Sequence, residues 1–375
     1  MPLAEPRKGE LLGFGLYPRA GHEATLAHPE TIIWSSIHHL CSRSAGEWYA
    51  WKAHGVSNRR ARSVVARNLK LYIQQASEFY HAAASAKPNT APLIYYYSFL
   101  NLAKALCEMR NPGFHERDEC YAHGLSWKPD PRTLVNFAKE KVTIRGRGVW
   151  HVLWECLMRM PCPAAGHTQV AVRTLFSYCP EISSEFLGVF GGPLPHIEFK
   201  NPNLLYDAAQ RETWLRFSVR RQELKDQRLS GPKLIAQMKT VRSTYVEVKE
   251  EDRELRTYES ATAKKLGRGG TPWSALESDI FGLNLFAHFG TERELQYSFA
   301  LQNSLPLRFP QLVVSYTILF WLGSLVRYDP HSVQGLMDSP YWILIDGFMT
   351  QSRVWLLELF EWALYQKETV LHMAR

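Results

Sequence analysis

Residues 93–110 read LIYYYSFLNLAKALCEMR, a run of helical length that is apolar on nearly every face. A helix of that kind is stable only when other elements surround it, so the chain must build a layered helical core around this segment. Pro92 sits where a first helical turn tolerates proline, and Asn111-Pro112-Gly113 ends the run. The Tyr95–Lys104 stretch carries one charged residue, Lys104, which on burial has to meet an acidic side chain or helix-end carbonyls.

Neighbouring stretches supply partners for such a core. Val65, Leu69, Tyr72, Ala76, Phe79 or Tyr80, and Ala83 recur at three- and four-residue spacing, which marks an amphipathic helix over Ser63–Ala86. Near the C-terminus, Leu312–Tyr328, Tyr341–Ser352 and Val354–Lys367 are helical in pattern. The most apolar part, Leu312–Val326, is too short to span a bilayer comfortably and contains Ser315, Thr317 and Ser324, so a buried helix is expected and no membrane association. Beyond the Gly/Pro-rich Gly188–Pro195 the period changes. Thr213–Val219 and Tyr245–Val248 alternate as strands do, with Glu254–Tyr258 a weaker third. The expected fold class is therefore mainly α, with helical N-terminal and C-terminal units and a small β-containing insert. The expected divisions are an irregular lead-in at 1–30, a helical unit at 31–190, a charged β-containing insert at 191–270 and a second helical unit at 271–375.

With 375 residues, 46% of them hydrophobic and 21% charged, the chain can bury a large core. The six cysteines form no Cys-x-x-Cys pair and have no paired histidines after them. Scattered thiols of this kind read as reduced cysteines of a cytoplasmic protein. The first residues lack the charged-then-apolar pattern of a signal peptide. No P-loop, dinucleotide fingerprint, nucleophile elbow or metal-spaced His/Glu motif is present, so neither a metal nor a cofactor is expected.

Net charge is +8, and the excess is concentrated. Lys52, Arg59, Arg60, Arg62, Arg67 and Lys70 follow one another with no acidic residue among them. Such a run binds phosphates, which makes RNA or DNA a candidate partner, although a solvated helix face has the same composition. Aromatic content is 13%, with 12 Trp, which suits cores and interfaces and also stacking on bases. Arg145-Gly146-Arg147-Gly148 precedes a helical stretch, where backbone N–H groups and the guanidiniums of Arg145 and Arg147 could hold an anion; a tight turn that starts a helix has the same sequence. Two Arg/His spacings, Arg110 with His115 and Arg145 with His151, fit a phosphate-steadying arginine and a proton-moving histidine. A turn arginine and a hydrogen-bonded histidine account for either pair without any chemistry.

Several motifs occur together and in order: Phe79-Tyr80-x-Ala82-Ala83, Pro92-Leu93-x-Tyr95-Tyr96, Leu100-Asn101-Leu102-Ala103-Lys104-Ala105 and His123-Gly124-Leu125. Leu322-Gly323-Ser324-Leu325-Val326-Arg327-Tyr328-x-Pro330 and Phe348-Met349-x-x-Ser352 follow. Over about residues 30–160 and 305–365 this resembles the YaaC-like family of bacterial proteins. The resemblance implies a soluble cytoplasmic protein and supplies no catalytic residues. It marks Tyr95, Tyr96, Asn101, Lys104, His123, Gly124, Arg327 and Tyr328 as structural motif positions. The N-terminal half is also similar in style to HEPN domains, helical folds that turn up among antiviral defence genes. The expected function is a non-catalytic binding or scaffold protein that works in a complex, with a protein partner or with itself, contacts nucleic acid and serves in antiviral defence. The alternative is a metal-independent HEPN-type ribonuclease.

Overall fold

The computed structural model describes residues 3–26, 29–129, 135–163, 166–239, 244–289, 295–301 and 305–373. The chain divides into two compact units. One comprises Met1–Ala24, Gly192–Ser304 and Lys367–His372; the other comprises Thr25–Gly191, Leu305–Gln366 and Met373–Arg375. Among the described residues, no helix is long and apolar enough to cross a membrane.

The first unit is built on an eight-stranded sheet whose strand pairs are antiparallel. Its main path runs Leu285–Phe289, Leu295–Ala300, His196–Asp207, Glu212–Arg220, Leu255–Ser260, Tyr245–Val248. Glu10–Gly13 adds to the second half of His196–Asp207, and Lys264–Lys265 adds to the start of Glu212–Arg220. A sheet of this size corrects the expected fold class: the protein is mixed α/β, and its β part is no small insert. The sequence misleads at one place for a clear reason. His196–Asp207 contains Asn201-Pro202-Asn203, which reads as a chain break. In the fold the register shifts between Lys200 and Asn203, Asn201 takes a left-handed φ of 48°, and Pro202 sits in the resulting bulge, where its missing N–H costs no ladder bond.

A row of buried aromatic rings crosses one region of this sheet. Phe299 stacks on Phe199 at 6.1 Å, Phe199 on Phe217 at 4.0 Å, and Phe217 on Tyr258 at 5.9 Å. The helix Pro272–Leu283, started by a Thr271/Ser274 capping box, packs on the two longest strands. Elsewhere in the unit, buried Glu259 is held by Arg7 at 3.1 Å and by the Arg216 Nε at 2.7 Å.

The second unit is helical, with a short three-stranded sheet (Leu125–Ser126, Lys141–Ile144, Thr168–Ala171). Its centre is the helix Ala91–Arg110, which packs against Arg59–Ala84, Val149–Met158, Gln311–Tyr328 and Trp342–Tyr365. Burial of Tyr95, Tyr96, Phe99, Leu102, Leu106 and Met109 takes in every side of it, as its all-round apolar sequence requires. The helix ends through Glu108. That fully buried carboxylate accepts hydrogen bonds from the backbone N–H of Gly113 (3.1 Å) and of His115 (2.8 Å) and from Asn68 Nδ2 (3.2 Å), so it folds the turn back onto the helix.

Candidate nucleic-acid interface

In the second unit the helix Arg43–Lys52 starts on a Ser42 side-chain cap and crosses the longer helix Arg59–Ala84, which starts on an Asn58 cap. The crossing point is Gly46, where an added Cβ would lie 3.0 Å from the Ala66 Cβ and 3.0 Å from the Leu40 carbonyl. Close approach there sets Trp51 over the first turn of the longer helix. Lys52 Nζ stands 4.2 Å from the Trp51 ring centroid and the Arg62 guanidinium 5.5 Å from it. Trp51 and Trp48 nevertheless keep 44% and 46% of their surface exposed. An exposed indole flanked by two cations offers a stacking face inside a positive field.

The remaining cations of the run lie alongside. Arg59, Arg60, Arg67 and Lys70 are exposed, and Arg62 is half-buried. Arg60 and Arg67 are two helical turns apart and so share a face, about 10 Å apart along the axis. No Asp or Glu occurs between Glu47 and Glu78. Glu47 itself accepts a hydrogen bond from Arg43 Nε at 2.8 Å, and this bond, with Arg59 adding its field, lowers the carboxyl pKa.

The two Arg/His spacings are taken up differently. The Arg110 guanidinium donates to Gln366 Oε1 at 2.7 Å, whereas His115 Nδ1 sits 3.2 Å from Glu108. Arg145 is exposed, while His151 is buried with neither ring nitrogen hydrogen-bonded, and burial lowers its pKa. The turn Arg145–Gly148 enters the helix Val149–Met158 as read from the sequence, but the N–H groups of Val149 and Trp150 donate to the carbonyls of Ala122 and His123 at 2.8 and 3.1 Å. Those donors are spent on the chain itself. What remains for an anion is the exposed guanidinium of Arg145 and that of Arg147, which stands 3.4 Å from exposed Asp118.

The clamp on Ala122 and His123 places a second group of polar residues. Gly148, at φ 135°, lies so close to Gly124 that a Cβ would come within 2.5 Å of the Gly124 Cα, so both glycines are needed for this contact. His123 is thereby held with Nδ1 2.6 Å from the Tyr96 hydroxyl, which is also 3.3 Å from the Tyr316 hydroxyl. Burial, with Tyr316 adding to it, pushes the Tyr96 pKa well up, so the phenol stays protonated and donates to Nδ1. Burial, then Lys104, then Arg327 lower the His123 pKa. Lys104 does not meet the acidic partner expected for a buried lysine. It is half-buried and forms no ion pair among the described residues, and its charge is felt by His123. Of the remaining motif positions, Tyr95 is buried, Asn101 donates to the Tyr97 carbonyl at 2.9 Å, and exposed Arg327 lies 5.0 Å over the Tyr328 ring.

Trp48 and Trp51 were not among the residues singled out from the sequence, although they immediately precede Lys52 on one helix. Among the described residues, no group of three or more His, Cys, Asp or Glu is arranged to hold a metal ion. No curated protein and no solved structure matches the chain. A family model described as YaaC-like protein matches residues 47–363, which takes in both units described above. The chain belongs to the YaaC-like protein family.

Proposed function

We propose that this protein is a binding protein without chemistry of its own, acting in the cytoplasm in a complex with a protein partner or a second copy, and that it contacts single-stranded RNA or DNA. The observation that carries this reading is the exposed Trp51 ring with Lys52 and Arg62 over it, at the head of a helix whose Arg60 and Arg67 line one face. Aromatic stacking accepts any base, and the cations follow the phosphates, so the expected binding is sequence-tolerant and salt-dependent. The six scattered cysteines accord with a reducing compartment. The ribonuclease alternative draws no support from the Arg/His spacings: His151 is buried with neither ring nitrogen hydrogen-bonded, and His115 and Arg110 are engaged with different partners.

Labelled total RNA incubated with the purified protein in EDTA tests this. RNA that stays intact, shifts on a gel at low salt and loses the shift steeply as salt rises is the expected result. Cleavage that disappears in His151→Ala or His115→Ala would overturn the non-catalytic reading.

A further inference from the structure

Away from the basic surface, the second unit has a cleft of about 280 Å³ between the end of helix Arg59–Ala84, the start of helix Ala91–Arg110 and helix Trp342–Tyr365. Its lining is mixed: Ala83, Pro88, Ala91, Pro92, Trp342 and Met349 supply the apolar side chains, and Tyr95, Asp346, Thr350 and Arg353 the polar ones. Arg353 is the one cation among the lining residues and Asp346 the one acid, two turns earlier on the same helix. Arg353 Nη1 lies 3.4 Å from the Tyr95 hydroxyl, and its Nε is buried without a hydrogen-bond partner. The guanidinium forms no ion pair among the described residues; Glu30 adds its field from beyond ion-pair distance. A guanidinium has five donors to satisfy, and the hydrogen bond to Tyr95 takes up only one of those of Arg353.

We propose that this cleft binds a small organic monocarboxylate, with the carboxylate on the Arg353 guanidinium and the Tyr95 hydroxyl, and the apolar body against Pro88, Pro92, Trp342 and Met349. A planar guanidinium matches a carboxylate with two parallel hydrogen bonds. One cation is enough for one negative charge, and Asp346 in the lining disfavours a dianion such as phosphate. Volume restricts the body to a short chain or a single ring, since the cleft lies at the small end of ligand sites. The proposal is independent of nucleic-acid binding, because none of the cleft's residues belongs to the Lys52–Lys70 surface.

The probes are phenylacetate, butyrate and inorganic phosphate, titrated calorimetrically into the full chain. At least one of the two acids binds, phosphate does not, and Arg353→Met weakens the acid about tenfold or more, as expected for loss of a charge-assisted hydrogen bond. Tyr95→Phe, which keeps the ring and its packing, weakens it by a smaller factor and serves where Arg353→Met does not fold. Failure of both acids to bind at about 10 mM, phosphate binding tighter than either, or unchanged acid affinity in Tyr95→Phe and in any folded Arg353→Met protein overturns the assignment.

Discussion

Gly46 and Ala66 touch at the crossing of the two helices that carry the basic surface; a Cβ on Gly46 would lie 3.0 Å from the Ala66 Cβ. The contact fixes how far Trp51 projects over Arg62, so packing and recognition depend on the same residue. Gly46→Val adds a branched side chain where backbone and side chain already meet, and it is expected to cost about 1–3 kcal/mol in urea denaturation. The same variant should bind single-stranded nucleic acid more weakly than its loss of stability explains, because Trp51 and Arg62 are pushed apart.

Glu108 and His115 supply a structural prediction for a histidine first read as a catalytic candidate. Glu108→Ala leaves the N–H groups of Gly113 and His115 and the Asn68 amide without their acceptor, a loss of about 3–5 kcal/mol. His115→Ala removes only one of the partners of that carboxylate and is expected to cost about 1 kcal/mol. Chemical denaturation of both variants checks the ranking, and equal losses would contradict it.

Two buried groups make stability depend on pH in opposite senses below neutrality, so that their contributions offset between about pH 4.5 and 6.5 and are read separately only in single variants. His54 donates from Nε2 to the Leu364 carbonyl at 2.7 Å, and burial, helped by Arg110, pushes its pKa down to about 3. The unfolded chain therefore takes up a proton first, and stability is lost as pH falls below the ordinary histidine value, by about 2 kcal/mol at pH 5 from this group. Glu361 behaves in the reverse sense. Burial raises its pKa to about 7, with a Ser36 hydrogen bond opposing, so its contribution is complete below the ordinary carboxyl value and is lost as pH rises through 7. Glu361→Gln should stabilise the protein by about 3 kcal/mol at pH 8 and change little at pH 4. Thermal denaturation at the two pH values reads the difference.

The Tyr96–His123 bond makes a spectroscopic prediction. Lys104→Met removes a charge that holds the His123 pKa down, so the imidazole should titrate at higher pH in an NMR experiment, while burial keeps it below 6.5. Tyr96→Phe strips Nδ1 of its donor and should cost about 1–2 kcal/mol. An unmoved His123 titration in Lys104→Met would show that the two groups do not interact.

Much of the helical unit was legible because its signals are local. Tyr95–Lys104 is apolar all round, and a segment with no polar face has only one place to go. The Lys52–Lys70 run was equally plain as charge. Its aromatic partner was not, because Trp51 meets Arg62 only through the Gly46/Ala66 crossing, a tertiary contact that no spacing encodes. The burial of His151 was hidden for the same kind of reason: sequence spacing says nothing about which side of a helix start turns inward, and here His151 follows buried Trp150 into the core. The sheet was underestimated because its strands extend from Glu10–Gly13 near the N-terminus to Leu295–Ala300, beyond the expected insert on both sides, and because the Asn201-Pro202-Asn203 bulge interrupts the alternation of its longest strand.

The central claim, that the Trp51 face binds single-stranded nucleic acid, is tested most directly by fluorescence anisotropy of a labelled single-stranded RNA at low salt, with wild type beside Trp51→Ala. The account predicts salt-sensitive binding by the wild type, about tenfold weaker in Trp51→Ala, with the salt slope unchanged because the cations remain. No binding by the wild type, or equal affinity for the two proteins, would contradict it.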